Sequence, residues 1–141
     1  MREDERQELR PSLRHERAPN HGIVVLRGGP TSVARLLSHA RRTHDAFLLD
    51  GEPIWGVSVF CALDDLGGAS LDALLHRFAS YRVVHLPRVS QLRDAGFDLV
   101  PTFGRPHFTV TMAGPDEASA LLDALGKAEQ NPYHERRPGR S

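Results

Sequence analysis

Cysteine, lysine and long apolar runs are all but missing from this 141-residue chain. Cys61 is its single cysteine, so an internal disulfide is ruled out, and with it the small disulfide-stapled secreted scaffold. No apolar run approaches the roughly 18 residues that cross a bilayer. The first twenty residues, MREDERQELRPSLRHERAPN, lack the apolar centre of an export signal. These features lead us to expect a cytoplasmic chain without membrane contact. An excess of either charge is missing as well: 18 basic residues, all but Lys127 arginine, face 18 acidic ones. Within residues 22–130 ten basic side chains meet twelve acidic ones, a net of −2. Long nucleic acids usually meet a strongly basic surface, so extended binding of that kind is disfavoured while a local basic pocket is not.

What is present is a sequence of short, well-punctuated elements. Residues 1–20 alternate charges around Leu9 and Leu13, with Pro11 interrupting any helix, and read as a disordered or partner-binding arm. Residues 131–141, with two prolines and three arginines, read as a disordered basic tail. Between them, residues 21–130 form one domain. Ile23-Val24-Val25-Leu26 is a doubly covered strand, and after Arg27-Gly28-Gly29-Pro30 a helix capped by Thr31 or Ser32 carries the stripe Val33, Leu36, Leu37 and Ala40. A short strand at 46–49, the turn Asp50-Gly51 and a long strand at 55–63 follow. On that long strand Gly56, Ser58, Phe60 and Ala62 share one face. Ser70 caps a helix bearing Leu71, Leu74, Leu75 and Phe78; a strand covers 81–86, and a short helix runs from Pro87 to a cap at Gly96. Strands at Phe97–Val100 and from Phe108 to Met112 precede a last helix with Ala118, Leu121, Leu122 and Leu125. The order β-α-β-β-α-β-α-β-β-α predicts an α+β fold. Its mixed, partly antiparallel sheet has about five to six strands, with three main helices packed on it. The strand order is not specified by this pattern.

The chemistry concentrates in residues 97–112, FDLVPTFGRPHFTVTM, where two strands flank a loop with two prolines, a glycine, an arginine and a histidine. Alternation puts His107, Thr109 and Thr111 on one strand face, either toward solvent or lining a cleft. His107 is the leading catalytic candidate because imidazole titrates near neutral pH; the plain alternative is a histidine bonded to its own loop. Arg27 and Arg105 are the candidate anion-binding and charge-stabilising groups, against the alternative of solvated strand-end arginines. Ser58, Thr109, His85 and Gly28 are candidate substrate contacts, Ser58 because the small Gly56 beside it would leave room for a ligand. The alternative for Ser58 is a satisfied core serine. His39, His44 and His76 fall on helix faces and read as solvated, whereas His21 and Tyr81 are weaker candidates. No zinc-ligand spacing, phosphate-binding loop or Gly-x-Ser-x-Gly elbow is present, so no metal or cofactor is expected.

The phrase AGFDLVPTFGRPHFTV resembles a stretch that recurs in small, largely uncharacterised bacterial proteins, over about Gly56 to Met112. In size and lack of a cofactor motif the chain also resembles toxins of toxin–antitoxin pairs, which implies a cognate antitoxin as partner. A second resemblance, to ADP-ribosyltransferase toxins, rests on Arg27 on the first strand and Ser58 on a later one. The late-strand glutamate of that family has no counterpart, since His107 begins the late strand here.

Three readings follow. The first is a toxin-like, metal-independent enzyme acting on RNA or a nucleotide phosphate through His107, Arg27 and Arg105. The second is an NAD-dependent ADP-ribosyltransferase-like toxin. The third is a non-enzymatic interaction module using its charged arms. A homodimer is compatible with each.

Overall fold

The strand and helix periodicities are realised in a computed structural model that describes residues 6–11, 17–62, 70–104 and 106–134. The strands are β1 (Gln7–Glu8), β2 (Ile23–Arg27), β3 (Phe47–Leu49), β4 (Glu52–Pro53), β5 (Trp55–Ala62), β6 (Val83–His85), β7 (Asp98–Pro101), β8 (His107–Met112) and β9 (Ala128–Gln130). The helices are α1 (Val33–Ala46), α2 (Leu71–Arg77), α3 (Val89–Asp94) and α4 (Ala118–Leu125), the last entered through a 3-10 turn at Pro115–Glu117. The fold is α+β, as the element order implies. Six strands form a sheet in the order β7-β8-β5-β2-β6-β9, each neighbouring pair antiparallel, and a second sheet has the order β1-β3-β4.

Alternation along β5 and β8 decides which side meets the helices. Val57, Val59 and Cys61 of β5 and Phe108, Val110 and Met112 of β8 are buried with Leu36 and Ala40 of α1, Leu92 of α3 and Leu121 of α4. Each fully buried aliphatic side chain there contributes about 1.5–3 kcal/mol by leaving water. On the opposite face, α2 presses Leu74, Leu75 and Phe78 against Val25, Ala62 and Phe60. Ser32 caps α1 by accepting from the Arg35 amide, and Ser70 caps α2 through the Ala73 amide.

Two expectations are corrected at the ends of the domain. The described part of the N-terminal arm is packed: β1 pairs in parallel with β3, and Leu9 is buried after donating its amide to Leu48. Ala18 joins the main core. The apolar residue within the charged stretch thus finds a strand edge to cover. Residues 1–5 and 12–16 lie outside the described residues. Asn131, expected in a disordered tail, is buried and its Nδ2 donates to the carbonyls of Leu75 and Phe78, closing the end of α2. Residues 135–141 are outside the described set.

Candidate functional site

The site lies where two neighbouring strands part. β2 pairs with β5 through Ile23, Val24 and Val25, with Val25 opposite Phe60. Continuing that register would bring Arg27 opposite Ser58. Leu26 and Arg27 turn instead to β6, where they pair with His85 and Val84. The Ser58 amide is left without a strand partner on that side, and the side chain of His39 enters from α1 to meet it: Ser58 N–H donates to His39 Nε2 at 3.3 Å. Beside this opening is a pocket of about 330 Å³, lined by Arg27, His39, Ser58, Phe60, Tyr81 and His107 among others, with no carboxylate among its described walls.

His107 stands next to Phe60 by strand register and meets its ring edge-on, 5.4 Å between centroids. Its Nδ1 is 3.2 Å from the Thr102 carbonyl and 2.8 Å from Thr102 Oγ1. A carbonyl only accepts, so the tautomer that satisfies it carries the proton on Nδ1 and leaves the Nε2 lone pair for the pocket. Thr102 Oγ1 in turn lies 3.0 Å from Thr109 Oγ1, and both threonines are buried. Gly56 makes room for this relay, since a Cβ there would come within 2.6 Å of Thr109 Cγ2.

Both pocket histidines are held toward the neutral form. Burial lowers the pKa of His39 below its ordinary 6.5, and the charges of Arg42 and Arg27 and the neighbouring His107 lower it further. Burial also lowers His107, with Arg27 adding to the shift and the Thr102 carbonyl partly opposing it. Arg27 is thus electrostatically coupled to both rings. Its guanidinium lies over Phe60, Phe78 and Tyr81, at 5.4, 5.5 and 5.8 Å from their centroids, and no acidic group pairs with it among the described residues. The aromatic support fixes the cation without neutralising it.

The residues singled out in the sequence divide as follows. Arg27, Ser58 and His107 come together in the pocket. Arg105 lies outside the described residues. Thr109 is buried behind His107 and acts on it through Thr102. The space expected beside Gly56 is filled by the Thr109 methyl group, which corrects the reading of a ligand gap there. Gly28, with φ 82°, lines a separate cavity on the far side of Arg27. His85 is corrected outright as a cleft residue. It is buried, its Nε2 accepts from the Thr31 amide at 3.1 Å, and its Nδ1 lies 2.9 Å from the Gly126 carbonyl. Both ring nitrogens are committed to backbone, so His85 ties the start of α1 to the end of α4.

Sequence reasoning missed His39, Thr102 and Phe103. A stripe through Val33, Leu36, Leu37 and Ala40 leaves His39 on a solvated face. Val33 is 38% exposed, whereas Leu36, Ala40 and Thr43 are buried, so the inward face is rotated and brings His39 to its border. The Leu36–Ala40–Thr43 spacing held that signal. Phe103 is 64% exposed, has φ 58°, and lies 5.3 Å from the His107 ring. A bulky residue in left-handed backbone costs about 1–3 kcal/mol and persists where surrounding structure or function requires it. Among the described residues no three His, Cys, Asp or Glu side chains converge on a common metal position. No family, curated protein or solved structure matches the chain in the comparisons made.

Proposed function

We propose that the protein is a toxin-like enzyme acting on phosphate esters, with single-stranded RNA as its substrate, and that the cleft between β2 and β5 is its active site. The observation that carries this reading is the meeting of Arg27, His39 and His107 in one pocket with no carboxylate among its described walls, both imidazoles being shifted toward the neutral form. A phosphodiester brings negative charge, which the unpaired Arg27 balances, and a 2′-hydroxyl, whose proton the His107 Nε2 accepts. The 2′-oxygen then bonds to phosphorus, the bond to the 5′-oxygen breaks, and the proton on His107 passes to that departing oxygen. The products are a 2′,3′-cyclic phosphate and a 5′-hydroxyl. His39, tied through Nε2 to Ser58, is a neutral donor that orients a phosphate oxygen through its Nδ1–H. Tyr81 at the pocket wall and Phe103 beside His107 offer exposed rings on which unpaired bases stack.

The test is incubation of the purified chain with a single-stranded RNA oligonucleotide, with product ends identified by mass. Cyclic phosphate ends produced by wild type and not by His107→Ala are the expected result. Equal product from both proteins would remove His107 from the chemistry, and no product from either would remove the reading and favour a non-enzymatic module. In a bacterium the same pair should differ in growth arrest, and a co-expressed antitoxin would be the partner that relieves it.

A second reading, an NAD-dependent ADP-ribosyltransferase, is favoured by one observation: Arg27 and Ser58 share the pocket. No glutamate stands among the pocket's described walls. Release of nicotinamide from millimolar NAD is expected if this reading holds, and none under the RNA reading.

A further inference from the structure

A second cavity, of about 270 Å³, opens on the other side of the Arg27–His39 wall. Leu26, Arg27 and His39 line both cavities. The second adds Arg35 and Arg42 from α1 with Gly28, Gly29 and Thr31, and it too has no carboxylate on its described walls. Arg27, Arg35 and Arg42 form no ion pair among the described residues. Three unneutralised guanidinium groups around one cavity stand out in a chain whose formal net charge is zero. A bound anion would offset the mutual repulsion of these cations.

The amides at the start of α1 are not what would hold that anion. Thr31 N–H is given to His85, Arg35 N–H to Ser32 Oγ and Leu36 N–H to the Ser32 carbonyl. The charged donors that line the cavity are the arginine side chains, whose planar forks match phosphate oxygens in pairs. The two glycines line the cavity without side chains, and Gly29 leaves little space for one: a Cβ would meet Thr31 N at 3.1 Å and His85 Nε2 at 3.2 Å.

We propose that this cavity is a second phosphate subsite, which holds the phosphate adjacent to the one placed at His107. The strand would pass over the Arg27–His39 wall, so that Arg27 contacts both phosphates. The inference rests on reading the first pocket as a phosphoester site and adds to it a substrate class: an oligonucleotide with at least two consecutive phosphates, rather than a mononucleotide.

The test uses the full chain carrying His107→Ala, to prevent turnover, and a fluorescent single-stranded RNA octamer followed by anisotropy. Arg35→Gln and Arg42→Gln, both at exposed positions on α1, are added singly and together, with thermal melting to verify folding. Each should weaken octamer binding about tenfold or more and reduce the salt slope by about one ion. Affinity for a 3′-mononucleotide should stay the same, since it fills only the first pocket. Unchanged octamer affinity and salt slope in the folded double variant would overturn the subsite. ADP binding as tight as the octamer, and lost in the same variants, would overturn the oligonucleotide assignment in favour of a nucleoside diphosphate. If wild type does not cleave RNA yet the arginine variants still lose octamer binding, the catalytic reading fails and the subsite stands.

Discussion

The amide of Ser58 on β5 donates its hydrogen bond to the imidazole of His39 on α1, where a neighbouring strand would ordinarily receive it. That contact marks where the sheet opens between β2 and β5, and it restricts His39 chemically. Protonating Nε2 would bring two N–H groups face to face. His39→Gln, which can still accept from Ser58, should therefore preserve folding, whereas His39→Ala leaves the amide unpartnered and should cost on the order of 1–3 kcal/mol. Urea denaturation of the two variants measures the difference.

The lowered pKa values of His39 and His107 give a signed dependence of stability on pH. Each group binds its proton more readily in the unfolded chain, so the native state is favoured above the ordinary histidine pKa of about 6.5 and loses that advantage as pH falls below it. Melting temperatures recorded from pH 7.5 downward should fall through this window, and the double variant His39→Gln, His107→Asn should show a shallower fall. Parallel curves for the two proteins would contradict the assignment.

Activity should follow the same groups. If His107 Nε2 is the general base, His107→Ala should lower kcat by about 10²–10⁴-fold, with activity expressed per folded molecule because the buried Thr102 carbonyl loses its ring partner. Removing Arg27 charge with Arg27→Gln should lower kcat/KM by about 10²–10³-fold, as loss of one charge-stabilising donor does. For the free enzyme, the acid limb of the kcat/KM profile should lie below pH 6.5, because the base functions only when neutral.

Phe103 offers a trade between stability and binding. Phe103→Gly removes left-handed strain from an exposed residue and should leave stability equal or raise it by about 1 kcal/mol. The same change should raise KM for RNA, because one stacked base is worth about 1–3 kcal/mol. A variant that is destabilised while binding normally would assign Phe103 a packing role, through its edge contact with Phe47.

His85 and Gly56 separate scaffold from chemistry. His85→Ala leaves the Thr31 amide and Gly126 carbonyl without their ring partner and should cost roughly 2–4 kcal/mol, while the folded fraction keeps its activity. Gly56→Ala drives a methyl group into Thr109, which its bond to Thr102 holds in place; overpacking of this kind costs about 1–3 kcal/mol. Because Thr102 also meets His107, Gly56→Ala should lower activity per folded molecule as well. Circular dichroism melts with activity corrected for folded fraction distinguish the two patterns.

Local pattern carried the fold a long way. The Ile23–Leu26 run, the Ser70 cap, the stop at Gly96 and the alternation through Phe108, Val110 and Met112 are all local signals, and each lies on the element it indicates. The convergence of Arg27, Ser58 and His107 was legible only in part. Strand alternation gives the facing of each residue, but register between β2, β5 and β8 is set by non-local pairing. His39 and His85 exchanged their expected roles for the same reason. The first enters a gap that exists only because β2 leaves β5 for β6, and the second is enclosed by the ends of two helices distant in sequence. Leu9 and Ala18 were hidden by the charged residues around them, which outweigh one buried side chain in any reading of composition.

The central claim is that Arg27, His39 and His107 form one electrostatically coupled phosphate site. Following both imidazoles by NMR through a pH titration, in wild type and in Arg27→Gln, tests it most directly. In the wild type both should titrate below 6.5; in Arg27→Gln both should move upward, and a phosphate-bearing dinucleotide should raise both in wild type. Imidazoles that titrate at their ordinary value, or that ignore both the loss of Arg27 and the added dinucleotide, would contradict it.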